Sequence, residues 1–407
     1  MSTLIGLMSS ELHIHSYSLL VLLGIAFLIG LSLFAWQSNT ECLLSRRILA
    51  FMLASIALMA LSFVLRREVG PAADWSYFLT SVQMAYGPLF YFYTRTLTDR
   101  NFVWQRKNWW HFVAVPASAL LWWLQWSFST SPGLSLPCLL EGGCTLVYMH
   151  RLPHIVAAWV SLVCYALLVL RLLQPYEQKI KSSYSAIEDI NLRWVKALSW
   201  ALLVLTFLAI LFELGRYLGF SSVITGGHMQ ALALFVVSFL MVRYGMQQMS
   251  IQHDDLNLQA VSSAELTFAE VQQQMQDGKK YQTSSLTKQQ ATELWKQLLH
   301  LMAEHMPHRQ SGLKISELAE LMQVPVHHLS ETINGHAGQS FYDFINHYRL
   351  EEAARLLADP LQSWSVTDIG FQAGFNSTST FYSQFKKRFG QTPKRFRQTT
   401  VQEQGNG

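Results

Sequence analysis

The chain has 407 residues, of which 51% are hydrophobic and only 14% charged, and its formal net charge is +4. The length predicts two or more domains, and the charged fraction lies far below the ~25% of ordinary soluble proteins, which excludes a wholly soluble, highly charged chain. Almost all long apolar runs precede residue 243, and most Gln and Glu follow it. The composition therefore divides the chain into an apolar and a polar part.

Seven apolar runs in residues 1–243 are long enough to cross a bilayer, which takes ~20 apolar residues. They lie at about 17–36, 48–65, 75–94, 109–126, 153–173, 195–214 and 224–242. The third run is the most polar, and the seventh begins in a Gly-rich stretch. Tryptophans cluster near run ends, as at Trp109 and Trp126, which is typical of membrane interfaces. The pattern predicts a seven-helix transmembrane bundle.

The charges of the loops predict how this bundle is oriented. Residues 1–16 contain no Lys or Arg and no clear cleavage site follows the first run, so this run is predicted to be a retained anchor. If the N-terminus lies outside, eleven Lys and Arg fall in inside loops and four in outside segments, as the positive-inside rule requires. The odd number of spans then places the C-terminal part in the cytoplasm, and we expect a multi-pass protein of the cytoplasmic membrane.

A few residues of this apolar part are candidates for a disulfide or a polar site. Cys138 and Cys144 bracket a short loop that the topology places outside, where a disulfide could persist; whether they are bridged is left open. Glu213, Arg216 and His228 are ionisable residues in or near the spans and form a candidate polar site of the membrane part. The alternative is that Glu213 and Arg216, three apart on one helix, simply pair with each other.

The sequence contains no metal-ligand cluster, nucleophile motif or phosphate-binding loop. The cysteines have no zinc spacing either. We therefore predict no catalytic residues, no metal and no cofactor, and a protein that is not an enzyme.

Residues 244–312 are predicted to form a helical linker. Val261, Phe268 and Met275 recur every seven residues, which fits either a short dimerising helix or a plain connecting helix. A second helix opens with a capping box at Thr287. Its apolar face is expected to pack on the domain that follows.

Residues 313–400 form the last predicted domain, and its end carries the clearest pattern. Residues 366–389 predict two short helices joined by a tight turn. Gly370 is small enough to let the second helix cross closely, and Gly374 ends the first helix as a residue that tolerates positive φ. Phe381 and Phe385 anchor the inner face of the second helix.

Basic residues follow on and after this second helix: Lys386, Lys387, Arg388, Lys394, Arg395 and Arg397. A buried first helix, a small crossing residue and a polar second helix beside a basic patch suit binding in the major groove of DNA.

The order Ile-Gly-Phe, Gly-Phe, Phe-x-x-x-Phe-Lys-Lys, Gly-x-Thr-Pro and Arg-Phe-Arg between residues 369 and 397 resembles the AraC/XylS family of transcription regulators. Members of that family carry two helix-turn-helix motifs joined by a linker helix. The resemblance covers about the last quarter of the chain. It implies a first motif at about 315–334, with Ala319 at the small crossing position, and a linker helix at about 341–357.

The resemblance also implies which side chains contact DNA. Base-edge contacts fall on the exposed N-terminal faces of the two second helices, at His327, Ser330, Glu331, Ser379, Thr380 and Ser383. Hydroxyls reach several base edges, and a carboxylate accepts from cytosine N4. The six basic residues listed above are phosphate candidates. The alternative for each of these residues is a merely solvated surface.

The linker helix would hold the two recognition helices about one DNA turn apart, ~34 Å. Within it, Arg349 either touches phosphate or pairs with Glu352.

Together these features predict an all-α chain with a transmembrane bundle, a helical linker and a tandem helix-turn-helix domain. The predicted function is a membrane-embedded, sequence-specific transcription regulator of the bacterial inner membrane, which couples an envelope or membrane signal to promoter binding. One rival is a membrane enzyme or transporter whose attached domain regulates its own expression, and another is a pure tether. The expected partners are double-stranded promoter DNA and the lipid bilayer, while a homodimer, an unknown effector and RNA polymerase are left open.

Overall fold

The computed structural model describes residues 16–37, 43–69, 75–99, 102–130, 145–217, 235–245 and 286–405. The chain divides into two compact units. The N-terminal unit comprises Met1–Leu173 and Leu192–Ser250, and the C-terminal unit comprises Gln174–Asn191 and Ile251–Gly407. All named elements in the described residues are helices, so the prediction of an all-α chain is confirmed for that part.

Eight α-helices begin in the described residues of the N-terminal unit. They are α1 Ser16–Gln37, α2 Leu43–Val69, α3 Tyr77–Thr80, α4 Tyr86–Thr98, α5 Ala114–Thr130, α6 Thr145–Ser183, α7 Arg193–Tyr217 and α8 Phe235–Gly245. Two 3₁₀ helices, Ser81–Ala85 and Arg106–Phe112, precede α4 and α5. Among the described residues, four stretches are long and apolar enough to cross a membrane: Ser18–Gln37, Leu43–Val69, His154–Ser183 and Arg193–Gly215.

The other three predicted spans are shorter helices in the described residues. Pro88 and Pro116 each lie in the first turn of the α-helix that follows a 3₁₀ helix. Proline is tolerated in the first turn because a backbone amide there has no partner within the helix. In the interior of a helix, proline would remove a hydrogen bond and interrupt the helix. The run at 75–94 is therefore divided between α3, a 3₁₀ helix and α4. The seven-span bundle stays a prediction.

The core of the N-terminal unit contains the aromatic helix α4. Tyr86, Phe90 and Tyr93 on this helix are fully buried, and the Tyr86 hydroxyl lies 2.9 Å from the Ser238 hydroxyl of α8. Helix α1 packs on α2, where Ser32 donates to the Ala50 carbonyl at 2.9 Å.

Seven further α-helices lie in the described residues of the C-terminal unit. They are α9 Lys288–Glu304, α10 Ile315–Leu321, α11 Val326–Ala337, α12 Phe341–Ala358, α13 Val366–Gln372, α14 Thr378–Phe389 and α15 Pro393–Gly405, with a 3₁₀ helix at Pro307–Arg309. The capping box predicted at Thr287 is present at the start of α9. Leu298 and Met302 of α9 join the core of the α10–α11 pair, so this predicted packing is confirmed.

Several predictions fall outside the described residues. They are the heptad pattern at Val261, Phe268 and Met275, the cysteines Cys138 and Cys144, His228, and the side chain of Arg216. Glu213 is described and is buried in α7.

Candidate DNA-binding surface

The same kind of turn joins α10 to α11 and α13 to α14. In the first pair the Val324 amide donates to the Ala319 carbonyl at 3.0 Å, and in the second the Phe375 amide donates to the Gly370 carbonyl at 3.1 Å. The matching hydrogen bonds indicate that the two pairs repeat one local structure.

A residue with positive φ stands in each turn, Gln323 with φ 55° and Gly374 with φ 101°. At Gly374 a Cβ atom would also lie 2.2 Å from the His308 carbonyl oxygen and 2.9 Å from Nε of Arg349. Glycine is therefore required there both for backbone conformation and for space.

Close crossing of the second pair depends on Gly370. A Cβ atom at this position would lie 2.7 Å from the Phe381 ring, so the predicted crossing is confirmed. Phe381 and Phe385 are buried on the inner face of α14, as Leu329 and Ile333 are on α11. With one face of each helix buried through these side chains, the opposite face is the exposed one.

The structure places four of the six predicted base-contact residues on this exposed face: His327, Glu331, Ser379 and Ser383. Thr380 and Ser330 are half-buried. The Thr380 amide donates to the Ser377 side chain, which caps the start of α14. The Thr380 carbonyl accepts from the Ser383 hydroxyl at 3.0 Å.

The inner-face residues also align the two helices with each other. If Leu329 is matched with Phe381, His327 corresponds to Ser379 and Glu331 corresponds to Ser383. Each of these two pairs consists of exposed residues in the first two turns of its helix. The repeat therefore gives two equivalent outward positions on each of α11 and α14.

The neighbouring histidines of α11 do not form a metal site in the described structure. The rings of His327 and His328 have centroids 4.2 Å apart. In the described part of the chain, no group of three or more His, Cys, Asp or Glu is arranged to hold a metal ion.

Five of the six predicted phosphate contacts are exposed, namely Lys386, Lys387, Arg388, Lys394 and Arg395, and Arg397 is half-buried. Arg388 and Arg397 have partners within the protein. Arg388 forms an ion pair with Glu351 at 3.1 Å. Arg397 donates to the carbonyl oxygens of Trp364 and Gln362, so it ties the loop before α13 to α15.

Both alternatives predicted for Arg349 are wrong. This residue is only 1% exposed, so it cannot reach a phosphate. Its Nε donates to the His308 carbonyl at 2.8 Å and its Nη2 to the Gln310 carbonyl at 2.9 Å. Glu352 instead forms ion pairs with Arg309 and Arg355.

These surroundings shift two pKa values in the linker helix. Hydrogen bonds from Arg355 and Arg309 lower the pKa of Glu352 to about 2, against the effect of burial. Burial lowers the pKa of Arg349 to about 10, although the Glu188 carboxylate opposes that shift. Arg349 therefore keeps its charge at neutral pH.

A family profile described as a helix-turn-helix domain matches residues 318–399. The probable transcription factor PqrA of Proteus vulgaris is 33% identical over 90 residues, which are 22% of this chain and 72% of that protein. This chain belongs to the AraC-type helix-turn-helix family.

Another relative is much longer than the matched part. An uncharacterised HTH-type transcriptional regulator of Staphylococcus aureus strain COL is 36% identical over 90 residues, which are 22% of this chain but only 12% of that protein. This chain thus spans about an eighth of that relative. A solved structure of a protein of unknown function from Listeria innocua is 26% identical, and the match covers 26% of this chain and 96% of that one with a TM-score of 0.24.

Proposed function

We propose that this protein is a sequence-specific transcription regulator embedded in the bacterial cytoplasmic membrane, which couples an envelope or membrane signal to promoter binding. The observation that carries the proposal is a single chain that combines an AraC-type domain with four helices of membrane length. Membership in a family of regulators also supports the expectation that the protein is not an enzyme.

The proposed DNA interface consists of both recognition helices, α11 and α14. His327, Glu331, Ser379 and Ser383 project from their exposed faces and would read base edges. Ser330 and Thr380 belong to the same proposed set, at its half-buried edge.

The proposed phosphate contacts follow α14 into α15. Lys386, Lys387, Lys394 and Arg395 present exposed positive charge there, and such contacts supply affinity and salt dependence rather than sequence preference. Arg388 and Arg397 remain in the proposed set, although Arg388 also forms an ion pair with Glu351 and Arg397 also donates a hydrogen bond to the Trp364 carbonyl.

The proposed membrane location is supported by the outward side chains of the N-terminal unit. On α1, Leu20 is 68% exposed and Leu23 is 62% exposed, and Phe27 is also exposed. Exposing such side chains to water would cost about 1.5–3 kcal/mol each relative to an apolar environment. A lipid environment removes that cost, and we extend the proposal to seven spans with the N-terminus outside and the C-terminal unit in the cytoplasm.

The proposal requires two partners, promoter DNA and the bilayer. It does not depend on a homodimer, an effector or a direct contact with RNA polymerase. The rival reading, a membrane enzyme or transporter that carries an autoregulatory domain, has no observation in its favour among the described residues.

Genome-wide crosslinking of the full-length protein to DNA in its native cells tests the proposal, with membrane fractionation alongside. We expect discrete promoter peaks from a protein that is recovered in the membrane fraction. A matched strain that lacks residues 313–400 should lose every peak. The proposal is wrong if the intact protein is present in the membrane and yields no peak above that control under any growth condition.

A further inference from the structure

A loop between two membrane-length helices is part of the C-terminal unit. Helix α6 ends at Ser183 and α7 begins at Arg193. The residues between them, 184–191, belong together with Gln174–Ser183 to the same compact unit as the AraC-type domain. We call residues 184–191 the docking loop.

The docking loop holds its shape through its own hydrogen bonds. The Tyr176 hydroxyl of α6 donates to the Ile190 carbonyl at 2.7 Å. The Asn191 side chain donates to the carbonyls of Ile187 and Glu188, at 2.9 and 2.7 Å. An ordered loop loses less conformational entropy when it packs on another surface than a flexible one would.

Its first contact is with the start of the first helix pair. Tyr184 pairs with Lys314, the residue before α10, as an isolated antiparallel bridge. The Ser185 amide donates to the Leu313 carbonyl at 3.1 Å, and the Lys314 ammonium lies 5.7 Å from the centroid of the Tyr184 ring. The loop thereby extends the backbone hydrogen bonding of the segment that leads into α10.

Its second contact is apolar and lies on the linker helix α12. Ile180 and Ile187 form a buried cluster with Tyr342 of that helix. Tyr342 also accepts a hydrogen bond from Gln384 of the recognition helix α14, at 3.4 Å. The Tyr342 side chain of α12 therefore contacts both the docking loop and the recognition helix α14.

Its third contact is with the buried guanidinium of Arg349. Nη1 donates to the Ser185 carbonyl at 3.0 Å, and Nη2 donates to the Ser185 hydroxyl at 2.9 Å. Asn346 donates to the same carbonyl at 3.4 Å. A buried charge that loses acceptors is strongly destabilised, so loss of the two Ser185 acceptors would destabilise this part of the unit.

Arg349 connects the loop to both helix pairs. The same guanidinium donates to His308 and Gln310, which precede the first pair. It also lies 5.9 Å from the centroid of the Phe375 ring, in the turn of the second pair. Displacement of the loop would therefore loosen the placement of one recognition helix relative to the other.

We propose that Tyr342, Asn346 and Arg349 form the docking surface through which the loop between α6 and α7 holds the two recognition helices in their DNA-binding arrangement. A signal that moves α6 relative to α7 undocks the loop and weakens binding to promoter DNA. The inference rests on the proposed function, because it assigns the regulation of that same DNA-binding domain.

The test uses the full-length protein in lipid nanodiscs and a promoter fragment recovered by crosslinking. Ile187→Asp places a carboxylate in the apolar contact with Tyr342. We expect it to weaken promoter binding about tenfold, within the usual range of allosteric coupling, with little change on random DNA. The matched control is Leu361→Asp, since Leu361 is 91% exposed in the same unit; it should bind as the wild type does.

A crosslink separates undocking from misfolding. Residues paired across an antiparallel bridge have Cα atoms about 4.5–5.5 Å apart, which a disulfide can span. Tyr184→Cys with Lys314→Cys, in a chain whose four native cysteines are replaced by Ser, should lock the loop. When added to Ile187→Asp, the oxidised pair should restore promoter binding, and its reduction should remove it again.

The outcomes separate the two proposals. If the wild type binds the promoter and Ile187→Asp binds equally or more tightly, the docking proposal is wrong and the proposed function stands. The docking proposal is also wrong if the oxidised crosslink fails to restore binding. If the wild-type protein does not prefer any promoter over random DNA, the proposed function itself falls, and the docking proposal falls with it.

Discussion

Gly370 shows how one missing methyl group sets the geometry of a recognition helix. A Cβ atom there would lie 2.7 Å from the ring of Phe381, a side chain that is buried in the core of the α13–α14 pair. Gly370→Ala should therefore destabilise the α13–α14 pair by about 1–3 kcal/mol, the range for overpacked cores. Hydrogen exchange of the α13 and α14 peptides in the full-length protein measures the effect.

The control for this prediction is Gly335→Ala. Gly335 lies inside α11, and a Cβ atom there would have no neighbour within 4 Å. The substitution should be neutral or stabilising by up to about 1 kcal/mol, because alanine favours helix. Equal protection in both variants would contradict the role assigned to Gly370.

The burial of His308 should make the stability of the C-terminal unit depend on pH. Burial lowers its pKa from 6.5 to about 4, with the neighbouring Arg309 and Arg349 acting in the same direction and Glu352 opposing. The unfolded chain binds the proton more readily, so the stability contributed by neutral His308 is complete above pH 6.5 and is lost as the pH falls towards 4. Glu352 titrates at lower pH, with a pKa of about 2.

Hydrogen exchange of α12 in the full-length protein, corrected for intrinsic rates, measures this dependence. Protection should fall between pH 7 and pH 5 in the wild type and change much less in His308→Gln. His327→Gln alters an exposed histidine of the same unit and should keep the wild-type dependence. The cause assigned here is wrong if His308→Gln and the wild type lose protection in parallel.

The sequence predicted individual residues well where their role is local. Gly370 and Gly374 were found because crossing and turn geometry depend on neighbours within one helix pair. Arg349 was not, because its acceptors are the carbonyls of His308, Gln310 and Ser185, and backbone acceptors leave no signature in a sequence. Only its place in the apolar pattern of α12, beside Leu350 and Ala353, indicated burial.

At the scale of single helices, α14 carries at opposite ends a residue predicted to set affinity for DNA and a residue predicted to set sequence preference. Lys387 is exposed in its last turn and Ser379 is exposed in its first. Lys387→Gln should weaken binding to promoter and random DNA alike, and should lower the slope of log K against log salt by about one. Ser379→Ala should reduce discrimination at one base pair by about 1–3 kcal/mol and leave the slope unchanged.

Binding titrations of the full-length protein against a promoter, single-base variants of it and random DNA check both variants. Arg397→Gln serves as a contrast, because Arg397 is already held by the carbonyls of Gln362 and Trp364; it should lower stability more than the salt slope. Identical effects of Lys387→Gln and Ser379→Ala on all DNA would contradict the assigned roles.

The starts of several C-terminal helices could be read from the sequence because a side chain caps them. Thr287, Ser340 and Ser365 each accept from a backbone amide in the first turn. For the apolar runs of the N-terminal unit, hydropathy reports composition but not whether a run is one continuous helix. The structure divides the run at 75–94 just before α4, whose first turn contains Pro88. Proline is tolerated in the first turn of a helix and is therefore the sequence signal for this division.

At the scale of the whole molecule, the contacts of the docking loop could not be predicted from the sequence. Residues 184–191 read as an inside loop with Lys and Arg on either side. Their contact with α12 joins positions more than 150 residues apart, and pattern analysis within one segment cannot detect it. The alternation of Tyr, Ile and polar residues in the loop was the available signal, because a merely solvated loop does not require those apolar side chains.

The topology of the whole chain yields the last prediction. If the N-terminus lies outside, four spans alone would return the C-terminal unit to the outside, away from DNA. An odd number is needed, so either one or all three of the shorter stretches 75–98, 106–130 and 235–245 must also cross. An epitope near residue 2 should be reached by antibody in cells with a permeabilised outer membrane, and one after Gly407 only after lysis. Both epitopes protected until lysis would mean an even number of spans and would reverse the predicted orientation of the N-terminus, while still leaving the DNA-binding domain in the cytoplasm.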